Sequence, residues 1–211
     1  NFLMLPDYFH FLLTGQKCSE YTNATSTQLI NAQTNDWDRE LIERLGYPQE
    51  MFLPLSQPGT LVGSFTKEIE EEVGFSCEVV LPATHDTGSA VMAVPGEGDK
   101  NLYISSGTWS LMGIENKTAI CTEESRKRNF TNEGGYEYRY RYLKNIMGLW
   151  MIQSVRKELE NKYSFAELCA MASRRSDFPS RVDVNDPVFL APDSMIRAIR
   201  EMCAKTGHPV P

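Results

Sequence analysis

The chain has 211 residues, 41% hydrophobic and 23% charged, which is ordinary globular usage and enough to bury one sizeable core or two small ones. A formal net charge of -7 argues against an electrostatic nucleic-acid footprint, and the one basic run, Arg126-Lys127-Arg128, follows Glu123-Glu124 and reads as a solvated face. No apolar run approaches the roughly 20 residues of a membrane helix, and the apolar start is cut short at Pro6-Asp7 without a basic lead-in.

Five scattered cysteines (Cys18, Cys77, Cys121, Cys169 and Cys203) form no CxxC pair, so neither a disulfide framework nor a zinc cluster is indicated. Reduced thiols in a cytoplasm are the expectation. The first residue is Asn1 rather than Met, and residues 207–211 read as a linker opening into something further. A piece of a longer protein is therefore expected.

Residues 6–14 carry Tyr8, Phe9, Phe11, Leu12 and Leu13 between a Pro-Asp start and Gly15, which predicts a short buried helix. Residues 20–29 are rich in Asn, Thr and Ser and read as a loop or helix entry. Leu41, Ile42 and Leu45 are spaced for one helical face ending at Gly46, and residues 65–73 predict a second amphipathic helix ending at Gly74.

At residues 79–81 the compact run Val79-Val80-Leu81 predicts a buried strand ending at Pro82. Residues 84–94 are small and helix-compatible, with Pro95-Gly96 and Gly98 closing them. This places His85, Asp86 and Thr87 between a strand's carboxyl end and a helix start, where ligands collect in open α/β sheets. Residues 102–106 and 109–115 read as a hairpin across Gly107-Thr108, a turn that suits either an anion or plain structure.

Residues 129–135 look turn-rich, and residues 136–143 alternate aromatic with charged in the period of a half-exposed strand. Residues 146–159 have helical spacing, with Asn145 suited to an N-cap and Trp150 and Met151 to a core. Helices are predicted over residues 164–172 and 194–205, joined by the apolar connection at residues 187–192.

PATHDTGSAVMAVP, YISSGTWSLMGIE, NFTNEGG, RYLKNIMGLWMIQ, LPDYFHFLLTG and EYTNATSTQLINAQTNDWDRELIERLG resemble the FGGY carbohydrate kinase family along nearly the whole chain. Many members have Gly-Asp where this chain has His85-Asp86, so His-Asp-Thr followed by SSGTWS is the specific combination. The resemblance implies an α/β fold of two actin-like, ribonuclease-H-like ATPase domains closing over a cleft. Residues 1–78 would end the first, sugar-binding domain, and residues 79–211 would begin the second, nucleotide-binding one.

The implied activity is ATP-dependent phosphorylation of the 1-hydroxyl of L-rhamnulose with magnesium; L-fuculose, D-xylulose or non-catalytic sugar and nucleotide binding are the alternatives. By the resemblance Asp86 accepts the hydroxyl proton, with His85, Thr87 and Asn145 at the sugar and Gly107, Thr108 and Gln153 at the ATP. Phosphoryl transfer asks mainly for positioning, plus one carboxylate as base. Magnesium among phosphate oxygens and waters needs no carboxylate cluster.

Rival classes fit less well. A metal-dependent phosphohydrolase needs more ligands than three histidines, His10, His85 and His208, supply, and SSGTWS is not a GxSxG elbow. The family's opening phosphate hairpin and its late Gly-Gly adenosine segment are not found in these residues, so the isolated chain is expected to turn over poorly.

Overall fold

The computed structural model describes residues 1–95, 101–147 and 149–211, and the expected stop at Gly96 and Gly98, like Gly148, lies outside them. Two compact units divide the chain: Asn1–Tyr103 with Gly113–Lys144, and Ile104–Met112 with Asn145–Pro211.

The first unit opens with α1 (Leu5–Thr14), which has Pro6 in its first turn and Gly15 in the left-handed region at φ 70° as its stop. The helix was expected to be buried through its apolar side chains, yet Tyr8, Phe9 and Leu12 stand exposed. Its buried residues are Asp7 and Thr14, because Asp7 Oδ1 accepts the Glu20 amide at 3.2 Å and fixes a polar face inward.

Residues 20–29 fold as β1 (Ser19–Glu20), α2 (Tyr21–Ala24) and a 3-10 turn, Thr25–Thr27. The hairpin β2 (Ile30–Asn31) and β3 (Asp36–Trp37) leads into α3 (Arg39–Arg44), capped by Asp38 at 3.0 Å from the Leu41 amide. Strand β4 (Leu55–Ser56) pairs parallel with β1, and the core below gathers Ala24, Trp37, Ile42 and Phe52.

β5 (Leu61–Ser64), α4 (Lys67–Val73, capped by Thr66 and stopped by Gly74) and β6 (Glu78–Val80) follow. β6 pairs antiparallel with β5 in a two-stranded sheet. Val79 and Leu81 are buried and Val80 is half exposed, so the strand covers a core with one face only. α5 (Asp86–Met92) starts directly after it.

β7 (Leu102–Ser106), β8 (Ser110–Asn116), β9 (Phe130–Gly134) and β10 (Tyr140–Ile146) form a sheet in the order β7-β8-β10-β9, with α6 (Glu123–Lys127) before β9. The connection between β7 and β8 is three residues rather than the expected two, closed by the Gly107 amide on the Trp109 carbonyl at 3.0 Å.

Residues 129–135, expected as turns, are mostly strand, since β9 pairs antiparallel with β10 from Gly134↔Tyr140 to Phe130↔Lys144. Cross-strand pairing overrides the weak strand preference of Asn and Gly there. Tyr136–Tyr138 form a 3-10 turn, and the expected outward-facing charges of the next strand are only partly so, because Arg141 is 1% exposed.

In the second unit Asn145 lies in β10 and caps no helix; α7 begins at Trp150 with Leu149 preceding it (Trp150–Glu158). α8 (Phe165–Ser173) carries a capping box between Ser164 and Glu167, and α9 (Met195–Lys205) is capped by Ser194. Met147, Phe189, Met195 and Ala198 make this unit's core, with Trp150 and Met151 packed against it as expected. Among the described residues no helix is long and apolar enough to cross a membrane.

Candidate active site

The turn that carries His85 and Asp86 is held from below by a carboxylate. Glu20 is fully buried and receives five donors. Its Oε1 accepts the Thr22 amide at 2.7 Å, while Oε2 accepts the Thr22 hydroxyl at 2.6 Å, the Asn23 amide at 3.0 Å, the Thr84 amide at 3.1 Å and the Thr84 hydroxyl at 2.7 Å. A buried charge is tolerable only when its lone pairs are filled in this way. The Thr22 hydroxyl accepts the His85 amide at 3.4 Å, so the segment entering α5 is fastened to α2 across more than sixty residues of chain.

His85, not Asp86, caps α5, accepting the Gly88 amide on Nδ1 at 3.3 Å. Arg141 Nη1 also faces that Nδ1 at 3.5 Å. Two donors thus face Nδ1 against one acceptor, Asp86 Oδ1 at 3.5 Å, while Nε2 faces the Glu133 carboxylate at 3.7 Å, a balance that favours the ring proton on Nε2. Burial, and then the Arg141 charge, hold the His85 pKa below its ordinary value, so the ring stays neutral at pH 7.

Arg141 completes the cluster. Its Nη2 lies 3.2 Å from Glu133 Oε2 and 3.4 Å from the Gly134 carbonyl. The contact with Glu133 is ionic without hydrogen-bond alignment, since Glu133 Oε2 and Arg141 Nε have no hydrogen-bond partner. A Cβ on Gly88 would come within 3.3 Å of the guanidinium and displace it by a few tenths of an ångström, so the glycine lets Arg141 pack closely on the helix start.

Asp86 is the first residue of α5, and its side chain is 98% exposed. Its Oδ1 accepts the Thr87 amide at 2.6 Å and stands 3.5 Å from His85 Nδ1. With the His85 proton on Nε2, two acceptors face each other there. The carboxylate is thus oriented by the Thr87 amide and hydroxyl, receives no proton from His85 and stands exposed.

Gly107, Thr108, Asn145 and Gln153 belong to the second unit. The Leu149 amide donates to the Gly107 carbonyl at 3.2 Å, the Trp150 amide to the Thr108 carbonyl at 3.0 Å, and Gln153 Nε2 to the Thr108 hydroxyl at 3.3 Å. The start of α7 therefore pins the β7–β8 connection. Thr108 is exposed, and Asn145 is exposed on β10, apart from these contacts.

Glu20, Glu133 and Arg141 escaped the sequence reading. Glu20 opens a run read as a loop or helix entry, Glu133 sits in a run read as turns, and Arg141 sits in an aromatic-charged alternation that ordinarily points charge outward. A separate cavity of about 550 Å³ in the first unit is lined by Glu133 and Gly134 with Thr25, Phe130 and Tyr140, and by none of the residues expected at the site.

Comparison with known proteins first defines the class. The fold is that of solved sugar kinases: xylulose kinase from Lactobacillus acidophilus (TM-score 0.71, 17% identity, 82% of this chain and 35% of that one) and xylulose kinase from Rhodospirillum rubrum (TM-score 0.67, 16% identity, 83% and 36%). Residues 1–93 match the N-terminal domain of the FGGY family of carbohydrate kinases, and residues 102–210 match its C-terminal domain. The chain belongs to the FGGY family of carbohydrate kinases.

Within that family it is 56% identical to the rhamnulokinase of Halalkalibacterium halodurans over 211 residues, 100% of this chain and 45% of the relative. It is 54% identical to the rhamnulokinase of Oceanobacillus iheyensis (100% and 44%) and 42% identical to that of Bacillus subtilis (99% and 43%). The chain thus spans under half the length of these relatives.

Proposed function

We propose that this chain is part of an ATP-dependent kinase that phosphorylates the 1-hydroxyl of L-rhamnulose. The observation that carries the reading is Asp86: an exposed carboxylate, oriented by the Thr87 amide and left without a proton from His85. The names of the relatives direct the choice of sugar.

In the proposed reaction the sugar oxygen attacks the terminal phosphorus of ATP, the bond to the bridging oxygen breaks, and ADP leaves. The hydroxyl proton passes to Asp86. His85 and Thr87 border the sugar from the same turn, with Asn145 as a further sugar contact. Gly107, Thr108 and Gln153 contact the nucleotide. Magnesium, where bound, neutralises charge on the phosphates; the chain's own part is to orient the hydroxyl and take its proton.

The test is a coupled ADP-release assay on a polypeptide of the relatives' length carrying this chain, with L-rhamnulose, L-fuculose and D-xylulose in parallel. L-rhamnulose should have the highest kcat/KM. A higher value for another ketose overturns the sugar assignment, and binding of sugar without turnover on any of them supports a non-catalytic module instead. The 211-residue chain alone should show no efficient turnover; a rate equal to that of the longer polypeptide contradicts this.

A further inference from the structure

We propose that Asp7, His10 and Cys18 form a binding site for one divalent cation of borderline softness, zinc by its donor set. α1 carries Asp7 and His10 one turn apart on the same face, and the chain returns past Gly15 to bring Cys18 beside them. One ligand atom from each residue lies within 4.8 Å of the other two. Ligands around a tetrahedral zinc ion sit roughly 3.3–3.8 Å apart, so the side chains need close by only about 1 Å.

A second observation points to a ligand. Asp7 is fully buried; its Oδ1 accepts the Glu20 amide and the Met4 amide lies near the carboxylate, but no well-aligned hydrogen bond reaches its Oδ2, and His10 Nδ1 is likewise buried and without one. Leaving such atoms unsatisfied costs about 1–3 kcal/mol each, and native structures rarely keep them without a reason. A cation among the three groups would fill these lone pairs.

The donor types select the ion. One carboxylate oxygen, one imidazole nitrogen and one thiolate sulfur match a three-ligand zinc site with a fourth position for water, whereas calcium and magnesium take oxygen ligands. The bond from the Glu20 amide to Asp7 Oδ1 is the kind of outer contact that orients a ligating carboxylate. His10 and Cys18 are only half buried, which leaves an entry path.

Without a cation, burial disfavours the charged forms of all three groups. Burial pushes the Asp7 carboxyl up to about 6 and the Cys18 thiol up to about 11, and holds His10 below its ordinary value. Metal binding would release the thiol proton and reverse the desolvation penalty on the carboxylate. Cysteine spacing gave no hint of this, because only one of the five cysteines takes part and the other two ligands, a helix turn apart from each other, come from the preceding helix.

The test uses the 211-residue chain, stripped with a chelator and then titrated with zinc against a chromophoric competitor, and separately with cobalt under reducing conditions. The expected result is one ion per chain, with a thiolate-to-cobalt charge-transfer band. Cys18→Ser should abolish the band. Asp7→Asn, which keeps an oxygen for the Glu20 amide, should weaken zinc by at least about 100-fold with an unchanged circular dichroism spectrum. His10→Gln should do the same. A band that survives Cys18→Ser, or zinc affinity unchanged in folded Asp7→Asn, overturns the site.

Discussion

In the first unit the turn bearing His85 and Asp86 is set by buried charge: Glu20, fully buried, holds Thr84 through two hydrogen bonds, and Arg141, 1% exposed, faces the His85 ring. In the second unit Thr108 is exposed and held by one backbone hydrogen bond, from the Trp150 amide, and by one carboxamide, Gln153, at 3.3 Å. Buried charges cannot shift without exposing unpaired groups, whereas an exposed hydroxyl and carboxamide exchange readily with water. The proposed sugar side is therefore pre-set in geometry, and the proposed nucleotide side is adjustable.

The sharpest way to break the contrast is at Glu20. Glu20→Ala leaves five donors without their acceptor and should cost about 3 kcal/mol or more, read as a lower urea midpoint. A change under about 1 kcal/mol would show that the turn is not held by this carboxylate.

Next come two glycines. A Cβ on Gly134 would lie 2.5 Å from Thr25 Cγ2 and 2.7 Å from Tyr21 Cε1, while one on Gly107 would meet only the Trp109 carbonyl at 3.4 Å. Gly134→Ala should cost about 1–3 kcal/mol. Gly107→Ala should fall within about 0.5 kcal/mol in the same denaturation experiment. Reversal of that order would put the constraint in the second unit.

The effect of pH on His85 is smaller. Its folded pKa is depressed below 6.5, so the unfolded chain takes up the proton first and stability is lost as pH falls through about 6.5 toward the folded value. Asp7, lifted to about 6, contributes the opposite slope between 3.8 and 6. The difference between wild type and His85→Gln isolates the ring, and it should shrink as the solution is acidified. A pH-independent difference would contradict the depressed pKa.

Least of all should come from Gln153→Ala, within about 0.5 kcal/mol for an exposed contact. Any consequence should appear instead in the KM for ATP of the longer polypeptide, and unchanged ATP kinetics would remove Gln153 from the nucleotide contacts.

Much of the local structure was legible in the sequence because it rests on local chemistry. Asp38, Thr66, Ser164 and Ser194 cap helices that their spacing predicts, and Gly15 and Gly74 stop helices where expected. What failed depends on partners distant in the chain. Residues 129–135 become a strand only because β10 pairs with them, Asn145 is drawn into that same β10, and α1 is turned by Asp7 rather than by its aromatic side chains.

Of the site, His85-Asp86-Thr87 stood out because it follows a short apolar strand. Glu20 and Arg141 were hidden, since a charged residue in a polar or alternating run carries no sign that it will be buried. The capping role also fell on the neighbour: the N-cap is His85, which frees Asp86 from that duty.

The most direct test of the central claim, that the chain presents Asp86 as the proton acceptor of a sugar kinase, is steady-state kinetics of Asp86→Asn in the longer polypeptide. Asn keeps an oxygen for the Thr87 amide and removes only the base. The expected result is a fall in kcat of roughly 10²- to 10⁴-fold with ATP binding and the urea midpoint nearly unchanged. A kcat equal to wild type would contradict it.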